Sequence, residues 1–127
     1  AALIARCRAR GQTVIVCGAA GGRTDPLRLT SGDLALTRGD ALLAGVRARL
    51  RRDHGFPREA GRRFGVIAVH STEPAAGRGR VAPAPGGGAP LSCAGYGSLV
   101  TVTAPMGMAA AALAIEALRR GPDRPAR

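Results

Sequence analysis

The feature that most constrains the fold is an unbroken apolar run that ends in a glycine-rich turn. Residues Thr13 to Cys17 are β-branched or apolar, with no polar alternation. This pattern is typical of a strand covered on both faces in a parallel sheet. It predicts an α/β fold in which helices flank a mostly parallel sheet. Ligands of such sheets bind beyond the carboxyl ends of the strands, where the chain carries Gly18, Gly21, Gly22, Arg23 and Asp25.

The glycines of this turn do not have the GxGxxG spacing of a dinucleotide site, and Asp25-Pro26 follows where a helix should begin. We interpret the segment as a tight turn that needs positive φ and close chain approach. In this interpretation Arg23 and Asp25 fix the turn or contact a neighbouring subunit.

The length and charge of the chain limit the classes of protein it can represent. A chain of 127 residues is long enough for one domain with a core and too short for two. Its 19 basic residues are all arginine and give a net charge of +11 against eight carboxylates. Such an excess creates a field that attracts polyanions, and nucleic acid is one candidate partner.

Helices and strands follow from capping signals and periodicity. We expect a helix to Arg10, a short edge strand at Leu27 to Thr30, and a brief helical segment capped by Ser31. Asp40 is the predicted cap of a helix from Ala41 to Asp53, and a strand is predicted from Phe64 to Ser71. A flexible Pro/Gly-rich loop follows over 74–92. Beyond it, propensity predicts a strand over Ser98 to Thr103 and a helix over Met106 to Leu118.

The uncharged stretch from Leu91 to Ile115 is long enough to span a bilayer. Its serine, threonine, glycine, proline and alanine content makes it a poor membrane helix, and we expect no stable insertion. The helix within it is apolar nearly all round, so its second face is expected to be covered by a partner subunit.

The candidate chemistry is sparse. Cys7, Cys17 and Cys93 are an odd number without a CxxC pair, which favours a reducing cytoplasm over a disulfide or zinc framework. Cys93, in a loop ahead of a helix, is the candidate nucleophile; an inert thiol is the alternative. Neither His54 nor His70 has a partner at metal-ligand spacing, so we expect no bound metal.

Four blocks of the sequence resemble the ThiF-type adenylating enzymes, and within them the branch that dehydrates threonylcarbamoyladenosine in tRNA. They are AALIARCRARG with TVIVCGAAGGRTDP, DLALTRGDALLAGVRARLRRDHG, FGVIAVHSTEP and SCAGYGSLVTVTAPMGMAAAALAIEAL. The resemblance implies that residues 1–127 are the C-terminal half of one ThiF-type domain, and that Ser98 to Arg120 form a single helix bent near Pro105.

The resemblance also implies a function. The complete enzyme would use ATP and Mg²⁺, bound in the N-terminal half that this sequence does not contain, and the chain alone would be inactive. Implied partners are tRNA, a second copy in a homodimer and a sulfur-transfer protein. A sulfur-carrier-protein adenylyltransferase and a non-enzymatic basic binding module are the alternatives. With tRNA as substrate, five arginines become candidate phosphate contacts, the alternative being a solvated face: Arg47, Arg51, Arg52, Arg62 and Arg63.

Overall fold

The computed structural model describes residues 1–75 and 97–121. Its helices are α1 (Ala2–Ala9), α2 (Ala41–Asp53) and α3 (Val100–Arg120), and its strands are β1 (Ile15–Cys17), β2 (Leu29–Asp33) and β3 (Ile67–Ser71). Two short 3₁₀ helices, Pro26–Arg28 and Leu34–Leu36, precede and follow β2.

The sheet places β3 in the middle, in the order β1-β3-β2. β1 pairs with β3 in parallel, with Ile15 opposite Ile67, and β2 pairs with β3 antiparallel, with Thr30 opposite His70. The predicted α/β class is confirmed. The described sheet is mixed, because β3 runs parallel to β1 and antiparallel to β2.

Both faces of the central strand β3 are covered, and four of its five residues are buried. Ala68 belongs to a core with α1 and α2, whereas its neighbour Val69 packs against Val102 and Met106 of α3. Successive side chains of a strand point to opposite faces. The sheet is therefore the middle layer between α1 and α2 on one side and α3 on the other.

The N-cap prediction for α2 is confirmed: Asp40 Oδ1 accepts a hydrogen bond from the Leu43 N–H at 2.9 Å. Of the helix's apolar stripe, Leu43 and Leu50 are buried. The prediction that Ser31 caps a helical segment is wrong, since Ser31 lies in β2 opposite Val69. Asp33 is the cap instead, accepting from the Ala35 N–H at 2.8 Å, because pairing with β3 extends the strand past Ser31.

A single helix replaces the strand that propensity alone predicts over Ser98 to Thr103. α3 starts at Val100, passes through Pro105 and ends before Gly121, whose φ is +75°. Burial of Val102 and Met106, one turn apart, outweighs the β-propensity of the first turn. The single helix that the resemblance implies is confirmed. From residue 76 onward, the predicted loop over 74–92 lies outside the described residues.

Candidate functional site

The turn after β1 lies at the carboxyl edge of the sheet, against the end of β3. Gly18 continues the strand, since its N–H donates to Val69 O at 2.8 Å. A Cβ added to Gly18 would lie 2.3 Å from Asp40 Oδ2 and 3.1 Å from the His70 Cβ. A side chain at this position therefore cannot be accommodated without displacing a buried carboxylate.

A buried ion pair holds the turn to the start of α2. Arg23 is 2% exposed, and its Nη1 lies 3.3 Å from Asp40 Oδ2, whose side chain is fully buried. The same carboxylate oxygen accepts the Ala19 N–H at 2.8 Å. Since the other oxygen caps α2, Asp40 joins the turn, the arginine and the helix.

The remaining donors of Arg23 bond to backbone carbonyls. Its Nε donates to Glu73 O at 3.0 Å, its Nη2 to Gly39 O at 3.2 Å, and its Nη1 also to Ala19 O. The guanidinium thereby connects three segments that are 16 to 50 residues apart in sequence. Every nitrogen of the side chain is engaged, so Arg23 has the geometry of a structural clamp.

The Glu73 carboxylate closes the turn from the β3 side. Its Oε2 accepts the N–H groups of Asp25 and Thr24, each at 2.9 Å, and its Oε1 accepts the Thr24 hydroxyl at 3.1 Å. The bond from the Asp25 N–H, followed by that from Thr24, lowers the pKa of Glu73 below its ordinary value. This carboxylate is therefore held ionised as the partner of the turn.

The other predicted turn residues have local roles. Gly22 has φ +69°, and its N–H donates to Gly97 O at 3.2 Å; a Cβ on Gly21 would be in ordinary contact with that same oxygen. Asp25 Oδ1 caps the following 3₁₀ turn through the Leu27 N–H at 2.8 Å. These contacts connect the turn to the segment that leads into α3.

This turn does not fit a triphosphate or its metal. The Arg23 guanidinium is already bonded to Asp40 and three carbonyls, and the Asp40 and Glu73 carboxylates are taken by backbone amides. Within residues 1–75 and 97–121, no three histidine, cysteine or acidic side chains form a group that could hold a metal ion. No step of ATP chemistry can be derived from these residues.

Three of the five candidate arginines have intramolecular partners. Arg47 Nη1 donates to the Thr37 hydroxyl, and its pKa is lowered, first by burial and then by neighbouring arginines. Arg51 donates to Pro57 O at 3.0 Å and lies 5.1 Å above the Phe64 ring. Arg52 is paired with Asp53 at 2.6 Å. These three arginines therefore use part of their hydrogen-bonding capacity and charge in contacts within the chain.

Arg62 and Arg63 are different. Both are exposed and precede the buried Phe64, and neither forms an ion pair with any part of the chain that the structure describes. Free exposed guanidinium groups are the usual contacts of nucleic-acid phosphates. They are the best candidates for such a role among the five.

The candidate nucleophile Cys93 lies outside the described residues. The sequence identifies Asp40 only as a helix cap, and it does not predict that Asp40 and Glu73 anchor the turn. The position of Arg23 is a signal that could have indicated this, because an arginine that is buried at the end of a strand needs a carboxylate partner.

No family model matches the sequence. The chain is 38% identical over 123 residues to a tRNA threonylcarbamoyladenosine dehydratase of Haemophilus influenzae, covering 93% of this chain and 45% of that protein. To the Escherichia coli protein of the same name it is 42% identical over 73 residues, 58% of this chain and 27% of that protein.

Solved structures of the E. coli dehydratase share the fold. The complex with AMP superimposes with a TM-score of 0.70 at 35% identity, over 91% of this chain and 41% of that one. The complex with ATP gives 0.71 at 34% identity, over 94% and 45%. The resemblance seen in the sequence blocks is confirmed, and the chain spans less than half the length of the relatives it matches.

Proposed function

We propose that this chain is the C-terminal portion of a single ThiF-type domain in an ATP-dependent enzyme that dehydrates and cyclises threonylcarbamoyladenosine in tRNA. The observation that supports this most is the similarity to two dehydratases of that name, which extends over 93% of the chain in one of them. By this proposal, ATP activates the threonylcarbamoyl carboxylate, and ring closure completes the net loss of water.

In this proposal ATP and Mg²⁺ bind to the part of the protein that precedes Ala1. The engagement of Arg23, Asp40 and Glu73 within the fold supports it, because none has a free polar group for a triphosphate. The described residues then supply half of the sheet, a rigid turn and an RNA-binding surface, and residues 1–127 expressed alone are inactive. A reducing cytoplasm is the compartment in which tRNA and free thiols coexist.

We further propose that Arg62 and Arg63 contact tRNA phosphates. Each phosphate contact contributes about −0.7 to −0.9 to the slope of log affinity against log salt concentration. Replacing both with glutamine in the full-length protein should reduce the magnitude of the slope by about 1.4–1.8. The matched control is Arg52→Gln with Asp53→Asn, which removes a paired charge of each sign at 2.6 Å and should leave the slope unchanged. An unchanged slope in the Arg62, Arg63 variant would reject the surface.

The outer face of α3 is the proposed homodimer contact. Within the described residues, Val100, Met108, Ile115 and Leu118 are 60–82% exposed, an unusual density of apolar side chains for one helix. α3 is also long and apolar enough to cross a membrane. Length and composition are weak evidence for insertion, because one face of α3 packs on the sheet. A sulfur-transfer protein is the further partner that the family resemblance suggests.

The reaction is tested by incubating the full-length protein with ATP and tRNA that contains threonylcarbamoyladenosine, and by measuring nucleoside mass. Loss of one water from that nucleoside supports the proposal. Transfer of AMP to the carboxyl terminus of a ubiquitin-like carrier protein would instead indicate the sulfur-carrier activator. Salt-dependent RNA binding by residues 1–127 alone, with no ATP-dependent reaction of the full-length protein, would indicate a binding module.

A further inference from the structure

A small pocket lies outside the turn described above, at the edge of β2 that pairs with no other strand within residues 1–75 and 97–121. Its volume is about 330 Å³, and its wall includes Ser31, Asp33, Leu36, Thr37, Arg63 and His70. We refer to it as the β2-edge pocket. It adjoins the candidate RNA surface, because Arg63 belongs to both and Thr37 is bonded to Arg47.

The backbone of Ser31 faces outward from the sheet. β2 is an outer strand of the described sheet. Two hydrogen bonds show which of its residues bond to β3: the Thr72 N–H donates to Arg28 O at 2.9 Å, and the Leu34 N–H donates to Val66 O at 2.8 Å. Bonded positions alternate along an antiparallel ladder, so every second residue between Arg28 and Leu34 bonds to β3. The N–H and C=O of Ser31 fall on the other positions and point to the free edge.

The side chains around this edge offer both donors and acceptors. His70 is 7% exposed, and among the described residues its Nδ1 is the buried side-chain atom that lacks a hydrogen-bond partner. Such atoms are rare in folded proteins, and this one belongs to a residue of the pocket wall. The two carboxyl oxygens of Asp33 are engaged by three backbone amides. Leu36, 45% exposed, adds an apolar surface.

We propose that the β2-edge pocket binds an unpaired RNA base. The edge of the base bonds to the N–H and C=O of Ser31, its face lies on Leu36, and Arg63 contacts the adjacent phosphate. Proteins read single-stranded RNA by splaying bases out and hydrogen-bonding their edges, and adjacent donors and acceptors are what such an edge presents. This inference rests on the proposed tRNA function.

An extended peptide could pair with the same edge by adding a strand. That occupant needs only the backbone of β2 and leaves Leu36 and Arg63 without a role. The compact volume and the exposed arginine beside it favour the base.

The test compares Ser31→Pro with Ser31→Ala in the full-length protein. Proline removes the outward N–H and is tolerated on an edge strand where that group does not enter the ladder, whereas alanine removes only the hydroxyl. Affinity is measured for an anticodon stem-loop RNA and for copies in which each loop nucleotide in turn is abasic. Leu36→Ala, at an exposed residue, is a second variant that does not alter the backbone, and circular dichroism checks that each variant folds.

We expect one abasic position to weaken RNA binding by the wild type and by Ser31→Ala roughly tenfold, because the hydrogen bonds between the base and the Ser31 backbone are lost. For Ser31→Pro and for Leu36→Ala the same position should cost roughly threefold, because each variant lacks one of the contacts made by the base. Equal abasic profiles for all variants would overturn the pocket while leaving the tRNA function intact. Loss of self-association by Ser31→Pro with an unaltered profile would assign the edge to strand pairing instead. Failure of the wild type to bind the RNA would overturn both proposals.

Discussion

Replacing Asp40 with alanine tests whether the carboxyl-end turn depends on its buried ion pair. The change removes the α2 cap, worth about 1 kcal/mol, and leaves Arg23, 2% exposed, without its counter-charge. Breaking a buried pair by removing one partner costs about 3–5 kcal/mol. The second effect dominates, so we expect the free energy of unfolding of the full-length protein to fall by about 4 kcal/mol, measured by urea denaturation.

Asp25→Ala is the matched control. Asp25 also caps a helical turn, through the Leu27 N–H at 2.8 Å, but its ion pair with Arg28 at 3.6 Å is about half exposed. Such a pair contributes little, and the cap accounts for about 1 kcal/mol. If Asp40→Ala costs no more than Asp25→Ala, the reasoning about the buried pair is wrong. Adding Arg23→Met to Asp40→Ala should recover part of the loss, because it removes the stranded charge.

Three further predictions concern other contacts. Gly18→Ala places a Cβ 2.3 Å from Asp40 Oδ2 and should lower stability by about 1–3 kcal/mol in the same urea assay, whereas Gly45→Ala, where nothing lies within 4 Å, should not destabilise. Because hydrogen bonds lower the pKa of Glu73 below 4.5, its contribution is present above that pH and lost as the pH falls through the folded pKa. The difference in melting temperature between wild type and Glu73→Gln should therefore shrink below about pH 4.5, and a constant difference would contradict this assignment. Ile115→Glu should convert a homodimer to monomers by sedimentation; an unchanged dimer would place the interface elsewhere.

Much of the architecture could be predicted because it depends on local signals. The apolar run before Gly18 predicted a strand, of which the structure forms Ile15–Cys17; Ile15 and Val16 are partly buried against different cores, whereas Cys17 is exposed. Asp40 followed by a helical pattern predicted α2 with its observed bounds. Where a long-range contact competes with propensity, prediction was wrong. The capping signal at Ser31 predicts a helical segment, but Ser31 pairs in β2. Propensity alone predicts a strand before Pro105, where the structure has the first turn of α3, as the family resemblance implies.

The arginines show the same division. Their composition predicted a basic surface, but only the folded chain separates Arg51, which lies over the Phe64 ring, from the exposed Arg62 and Arg63. Charge is a property of each residue, whereas its availability depends on neighbours that are distant in sequence.

The α/β class and the resemblance to a dehydratase could be recognised from the amino-acid sequence, because apolar runs and short motifs lie within short stretches of chain. The tertiary structure alone decided that Arg23, Asp40 and Glu73 form one clamp across 50 residues of chain, and that the outward amide of Ser31 adjoins His70. These contacts arise from the register of β2 on β3 and the docking of α2. Neither this register nor this docking follows from local sequence patterns, because both depend on the free energy of packing between segments that are distant in the chain.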